Sequence, residues 1–282
     1  MPPFPPLALD DWRPTRDRLW ACARLLGKVR SVFTARQRHW SHISLQFGTL
    51  GPTTGPIQAG TGRFEIGLDL VHHRLNLLTS TPEGWSVPIG EVTTDQVLEA
   101  LEAALGREVL APLVSADLPV LDRHAGYEPT AAKDYLAAMG RVDSVLRTFR
   151  GGLHGEVSTV QLWPHHFDLA VLWLTGRQVA GVDPSDEDLA DESANFGFST
   201  GDEGIPGPYF YATVYPRLRS YAGLTRHAGS VLQEQGWQGV RLDYERLTRM
   251  EDPEQDLLGF LTSVHRAAAA ALASRAEQTS EG

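Results

Sequence analysis

The sequence predicts an α+β protein built from two related halves, each an antiparallel sheet flanked by helices. The first observation is a repeated order of two patterns. Apolar residues spaced three and four apart, which predict helices, are followed by segments of period-two alternation, which predict strands, and this order occurs twice. The second is a Trp-His pattern near the first strand of each half, at 39–47 (HWSHISLQF) and 162–171 (LWPHHFDLAV). We predict that the halves cover 8–125 and 126–275 and form one compact unit.

The first half begins with a helix and continues with short strands. Leu19, Cys22, Leu26, Val29 and Phe33 form one apolar helix face. Thr93 followed by Gln96 is the capping-box pattern that begins a helix. The predicted order is a Pro-rich arm, a helix over 14–33, a strand over 40–47, a glycine-rich loop over 48–62, strands over 64–77 and 85–89, and a helix ending near Gly106.

The second half repeats this order with a longer middle. An acidic insertion at 183–192 contains six acids in ten residues, which is typical of a solvated segment. The predicted order is an irregular connection over 107–128, a helix over 135–149, a strand over 160–173, strands over 195–199, 209–215 and 240–243, and a helix over 253–273.

Composition limits the classes of protein. The 282 residues are 42% hydrophobic with a net charge of −10, and no stripe of clustered Lys and Arg stands out, so we expect no nucleic-acid partner. Cys22 is the single cysteine and lies on an apolar helix face, which predicts a buried packing residue and a reducing compartment. There is no signal-peptide pattern and no apolar run near the ~20 residues that span a bilayer. We therefore expect a cytoplasmic protein without a membrane partner.

The Trp-His segments supply the candidate site residues. Alternation along the predicted strands places Trp40, His42 and Ser44 on one face of the first segment, and His166 with Asp168 on one face of the second. Trp163 and His165 share the opposite face, and Pro164 indicates a local break in the strand. We expect a ligand pocket lined by the following side chains: Trp40, His42, Ser44, Trp163, His165, Asp202 and Glu203.

Three chemical interpretations of these residues remain open. His166 and Asp168 could bind a divalent metal with His42 as a third ligand. Alternatively, Asp168 could orient His166 as a general base, so that these two residues are the catalytic candidates. The third interpretation is a His–Asp hydrogen bond that only stabilises a strand, and Asp202 and Glu203 could be ordinary turn residues.

Several motifs that define common enzyme classes are missing from the sequence. There is no Gly-x-Gly-x-x-Gly at a helix start, no Walker loop, no His-Glu-x-x-His and no Gly-x-Ser-x-Gly. Their absence argues against nucleotide enzymes, common hydrolases and zinc proteases.

Segments along nearly the whole chain resemble a bacterial family of uncharacterised proteins, a domain of unknown function. The matching segments are Asp11-Trp12, Gly27-Lys28-Val29-Arg30, His39-Trp40-Ser41-His42, Phe64-Glu65-Ile66, His73-Arg74-Leu75, Phe167-Asp168-Leu169, Phe196-Gly197-Phe198 and Tyr209-Phe210-Tyr211. The resemblance implies no activity, because none is assigned to that family.

Three hypotheses for function follow. The first is a small-molecule binding protein, suggested by seven Trp residues, two of them beside histidines. The second is a metal-assisted hydrolase that uses His166 and Asp168. The third is a protein-interaction module that uses the acidic insertion or a sheet edge. The sequence does not determine an oligomeric state.

Overall fold

The structure is a computed structural model, and it confirms the α+β class. It describes residues 4–7, 9–60, 62–82, 84–121, 126–201, 204–224, 229–234 and 237–280. Two antiparallel sheets and their helices account for 26% strand and 41% helix. The chain forms two compact units, one comprising Asp10–Ala137 with Gln161–Phe167 and the other comprising Met1–Leu9, Ala138–Val160 and Asp168–Gly282. We call them the N-terminal unit and the C-terminal unit.

The N-terminal unit begins with helix α1, Leu9–Phe33, followed by a 3-10 helix, Arg38–Ile43. Its strands are β1 Gln46–Phe47, β2 Pro52–Thr53, β3 Ile57–Ala59, β4 Gly62–Asp69, β5 Arg74–Thr79 and β6 Trp85–Pro88, paired in the order β1-β2-β4-β5-β6 with β3 also on β4. Helices α2, Thr94–Leu105, and α3, Arg107–Val114, follow the sheet. The predicted capping box at Thr93 and Gln96 is confirmed at the start of α2.

A stack of aromatic rings anchors the core of the N-terminal unit. Tyr135 lies at the start of helix α4, Pro129–Gly151, and its ring is fully buried. Trp12 and Phe167 each stack on this ring with centroids 5.3 Å apart, and Phe47 meets it edge-on at 6.2 Å. Such pairs add about 0.5–1.5 kcal/mol each beyond the burial of their area. Phe167 therefore fixes the end of the 161–167 segment inside this unit.

The C-terminal unit is an antiparallel sheet with one apolar face. Its strands are β7 Glu156–Val157, β9 Asp168–Gln178, β10 Asp191–Ser199, β11 Tyr209–Tyr215, β12 Ser230–Glu234 and β13 Trp237–Asp243, in the order β12-β13-β11-β10-β9-β7; the short strand between β7 and β9 along the chain is β8, Gln161–Trp163. Phe196 and Phe210 point to the apolar face and are fully buried. The second half of α4 and helix α6, Pro253–Ser280, supply the apolar side chains of this core, and α5, Tyr244–Thr248, precedes α6.

Helix α6 is the one helix of the described residues that passes a length-and-composition test for a membrane span, over Pro253–Arg275. The core helices of soluble proteins pass the same test. Leu257, Leu261 and Val264 of this helix are fully buried in the C-terminal unit.

Several predicted elements differ from the structure. Residues 40–43 belong to a kinked 3-10 segment rather than a strand, and the left-handed backbone angles of His39 and Trp40, with φ of 53° and 56°, exclude an extended conformation there. The predicted strand over 160–173 is broken at 164–167, where Pro164 follows β8 and Phe167 has a φ of 56°. The break indicated by Pro164 is thereby confirmed, but His166 and Asp168 do not share a strand.

Three smaller predictions were also wrong. The connection over 107–128 contains α3, because Gly106 at a φ of 86° ends α2 and lets a second helix begin at once. The loop over 48–62 contains strands β2 and β3. The acidic insertion is not solvated throughout, because Glu192, at a register shift in β10 between Asp191 and Ser193, is buried and holds the Arg177 guanidinium at 2.8 Å.

His265 packs against aromatic rings in the C-terminal unit. Its ring meets Trp173 edge-on at 4.5 Å, and its Nε2 is buried without a hydrogen-bond partner among the described residues. Burial and the nearby charge of Arg266 lower the pKa of His265. The imidazolium is thus disfavoured in the folded protein.

We expect this histidine to make the protein acid-sensitive. Since the folded pKa lies below the unfolded one, the destabilisation is absent above the ordinary histidine pKa and grows as the pH falls through it. The stability of His265→Phe relative to wild type should therefore improve between about pH 7 and pH 5 in urea unfolding. His154→Phe, at an exposed position, is the control. Parallel pH profiles for wild type and His265→Phe would contradict this assignment.

Candidate functional site

The first Trp-His segment and residues 162–167 of the second lie side by side in the N-terminal unit. Leu45 and Leu162 form an antiparallel bridge in which each amide N–H donates to the other carbonyl at 2.8 Å. Beside this bridge, Ser44 Oγ lies 2.8 Å from the Gln161 side-chain oxygen. The segments are more than a hundred residues apart in sequence, so the fold itself brings the repeated pattern together.

A glycine on α1 allows both segments to approach the helix. A Cβ atom at Gly27 would lie 2.8 Å from Pro164 Cβ and 3.4 Å from the Ile43 carbonyl oxygen. The first distance is shorter than real contacts permit, so only glycine lets the 164–167 turn lie against α1. Trp20, two helical turns before Gly27 on the same face, donates its indole N–H to the Pro164 carbonyl at 3.0 Å.

The 3-10 helix Arg38–Ile43 is stabilised by two side chains that donate to one of its carbonyl oxygens. Arg30 Nε and Thr34 Oγ1 both donate to the His42 carbonyl, at 2.9 and 3.0 Å. Arg30 also donates to the Thr54 carbonyl. These contacts stabilise the left-handed residues His39 and Trp40, which would otherwise cost about 1–3 kcal/mol each.

The side chains of this 3-10 helix divide into an exposed and a buried group. The Trp40 ring is 42% exposed, while His42 and Ser44 are buried. The Arg36 guanidinium lies over the Trp40 ring, 4.1 Å from its centroid, and the His42 ring stacks on Trp40 at 5.8 Å. A cation over an indole face is a favourable contact, so Trp40 is presented in a defined orientation.

The turn at 164–167 presents two adjacent imidazoles. His165 and His166 are exposed, their ring centroids lie 4.4 Å apart, and Trp163 meets His165 edge-on at 5.9 Å. Partial burial and the neighbouring His166 lower the pKa of His165. The lowered pKa favours the uncharged His165 ring, which can both donate and accept a hydrogen bond.

We call these side chains the Trp–His surface: Trp40, Trp163, His165 and His166, with the buried His42 ring stacked on Trp40. It combines aromatic faces with imidazole donors on segments whose backbone is fixed by hydrogen bonds and by the contact at Gly27. Such an arrangement can stack a planar ligand and donate hydrogen bonds to it.

Asp168 lies in the C-terminal unit and takes part in a different contact. It is buried, and the Tyr211 hydroxyl donates to its carboxylate. Gly197 lies opposite Tyr211 in the ladder, and a Cβ there would meet the Tyr211 hydroxyl at 2.6 Å. The tyrosine ring thus crosses the strand over a glycine to reach Asp168. Burial and the Asp168 carboxylate raise the pKa of Tyr211 well above its usual value.

The structure brings together some of the predicted site residues and not others. Trp40, His42 and Ser44 lie on one segment beside Trp163, His165 and His166, whereas the carboxylate of Asp168 is engaged by Tyr211. Within the described residues, no group of three or more His, Cys, Asp or Glu side chains could hold a metal ion. Asp202 and Glu203 lie outside the described residues.

The sequence analysis assigned no site role to Gly27, Trp20 or Tyr211, although Gly27 and Tyr211 lie in segments that carry the family resemblance. Gly27 falls inside an amphipathic helix, where an isolated glycine costs helix stability and is retained for a reason of packing, which is the signal that could have marked it. The only signal for Trp20 is that it is one of the seven Trp residues of the chain. Tyr211 has no signal of its own, because only the strand register places it across from Gly197.

The two antiparallel sheets, the helices and the Trp–His surface define an α+β protein with a candidate ligand surface. The chain belongs to a family of unknown function, DUF5996, whose model matches residues 4–280, as the segment resemblance predicted. No curated protein and no solved structure is detectably similar to it.

The contact at Gly27 can be tested against a matched glycine. We expect Gly27→Ala to lower stability by roughly 1–3 kcal/mol, because the new methyl group collides with Pro164. Gly140→Ala, in the interior of α4 with open space around it, should raise stability by about 0.5–1 kcal/mol. Urea unfolding of both variants measures the difference. Equal stabilisation by the two alanines would show that Pro164 does not approach α1.

The Tyr211–Asp168 contact gives a second prediction. Tyr211→Phe removes the hydroxyl that donates to a buried carboxylate and should cost about 1.5–3 kcal/mol. Tyr215→Phe, in the same strand, removes a hydroxyl bonded at 3.1 Å to the exposed Leu189 carbonyl and should cost less. Comparable unfolding midpoints for the two variants would contradict the role assigned to Tyr211.

Proposed function

We propose that the protein binds a small molecule on the Trp–His surface. The observation that carries this proposal is the pairing at Leu45 and Leu162, which places two aromatic and histidine-rich segments side by side on a fixed backbone. An exposed Trp ring on one segment and two exposed imidazoles on the segment paired with it, with left-handed backbone at His39, Trp40 and Phe167, are costly to maintain for stability alone.

Ligand binding is favoured over the metal-assisted hydrolase. A catalytic zinc site takes three protein ligands, and the described part of the chain offers no such cluster. The proposed partner is a small molecule, not a nucleic acid or a membrane.

We propose a cytoplasmic location, which the single buried Cys22 supports because a thiol stays reduced there.

A thermal-shift screen of metabolites tests the proposal. A compound that binds the folded state raises the unfolding temperature in a concentration-dependent way. We expect the shift to disappear in Trp40→Ala and in His166→Ala, whose side chains are exposed and not needed for folding. His154→Ala, an exposed histidine in the C-terminal unit, should keep it. No stabilising compound, or one whose effect survives both surface variants, would contradict the proposed function.

A further inference from the structure

The part of the chain that builds the Trp–His surface is free of acidic residues. Residues 18–64 contain seven Arg or Lys and no Asp or Glu, although the protein has 35 acidic residues and a net charge of −10. Residues 157–167 also contain no acid. The two segments meet at the Leu45–Leu162 bridge, so acid-free sequence lies on both sides of that contact, which favours a positive local potential.

Two basic side chains lie on the helix face next to the turn. Arg24 and Lys28 of α1 follow Trp20 at steps of four, on the face where Trp20 and Gly27 contact Pro164. Arg24 is exposed and Lys28 is partly exposed. The acid at the start of this face, Asp17, accepts from Arg16 at 2.9 and 2.7 Å.

Resting on the proposed function, we infer that the ligand of the Trp–His surface is a planar organic anion. Arg24 and Lys28 would bind its carboxylate or phosphate group, His165 and His166 would donate hydrogen bonds, and the indole rings would contact its planar part. Guanidinium and ammonium groups are the usual partners of such anions. The basic residues are spaced and not clustered, which favours a small anion over the six to ten phosphate contacts typical of a nucleic-acid site.

The local potential can be measured without knowing the ligand. Iodide and caesium ions quench accessible tryptophan fluorescence and differ in the sign of their charge. The fluorescence of Trp163 is obtained as the difference between wild type and Trp163→Phe. We expect iodide to quench this fluorescence more strongly than caesium does. The double variant Arg24→Gln/Lys28→Gln should remove this preference, and Arg107→Gln, an exposed basic residue on α3, should retain it. Equal or stronger quenching by caesium would overturn the inference.

Matched pairs of compounds test the ligand class. The pairs are nicotinate with nicotinamide, and a nucleoside monophosphate with its nucleoside, each titrated by fluorescence and thermal shift. We expect the anion of at least one pair to bind with roughly tenfold higher affinity than its neutral partner, and Arg24→Gln to remove that difference. The pair in which the anion binds more tightly shows whether the ligand's anionic group is a carboxylate or a phosphate.

The outcomes separate this inference from the proposed function. Neutral compounds that bind as well as the anions, with binding lost in Trp40→Ala but kept in Arg24→Gln, would overturn the anion inference and leave the proposed function standing. Absence of saturable binding by every compound of the pairs and of the metabolite screen would contradict both.

Discussion

The close approach of the 164–167 turn to helix α1 at Gly27 is the contact on which the candidate site depends. Without a Cβ at this position, Pro164 lies against the helix and the Ile43 carbonyl comes near the same point. Trp20 then reaches the Pro164 carbonyl, and Phe167 enters the aromatic stack around Tyr135. A larger residue would push the turn away and separate all of these contacts.

The C-terminal unit uses the same physical device in a sheet. Gly197 leaves open the space over strand β10 that the Tyr211 ring occupies, and the ring delivers its hydroxyl to a buried carboxylate. In both units a glycine gives up local backbone stability, and a ring or turn from another element takes the space. The difference is in exposure: the contact at Gly27 presents side chains at the surface, whereas the contact at Gly197 satisfies a buried charge.

Much of the fold could be predicted from periodicity, and much of the site could not. The amphipathic pattern of α1 and the capping box at Thr93 are local signals, and both helices are present. The alternation in 40–47 also looked like a strand, but hydrogen bonds from Arg30 and Thr34 to the His42 carbonyl favour a 3-10 helix there. Those donors lie 12 and 8 residues before His42, on α1 and just after its end, and the period-two alternation in 40–47 carries no information about them.

The repeated Trp-His pattern marked two segments that pair with each other, and this pairing could not be predicted from the sequence. Alternation suggested equivalent positions in two halves, whereas the segments pair with each other in one unit. His166 and Asp168 are only two residues apart, yet the left-handed Phe167 between them ends the turn and Asp168 begins strand β9. A backbone conformation at one residue thus separated side chains that a strand would have aligned.

The most direct measurement is the amide-proton NMR spectrum of deuterated protein with the amides of Leu45 and Leu162 assigned. In an antiparallel pair that exchanges both hydrogen bonds, the two amide protons face each other across the ladder. The account predicts a nuclear Overhauser cross-peak between them and slow exchange of both with solvent. The absence of that cross-peak, with both amides exchanging as in an open chain, would show that the two Trp-His segments do not meet.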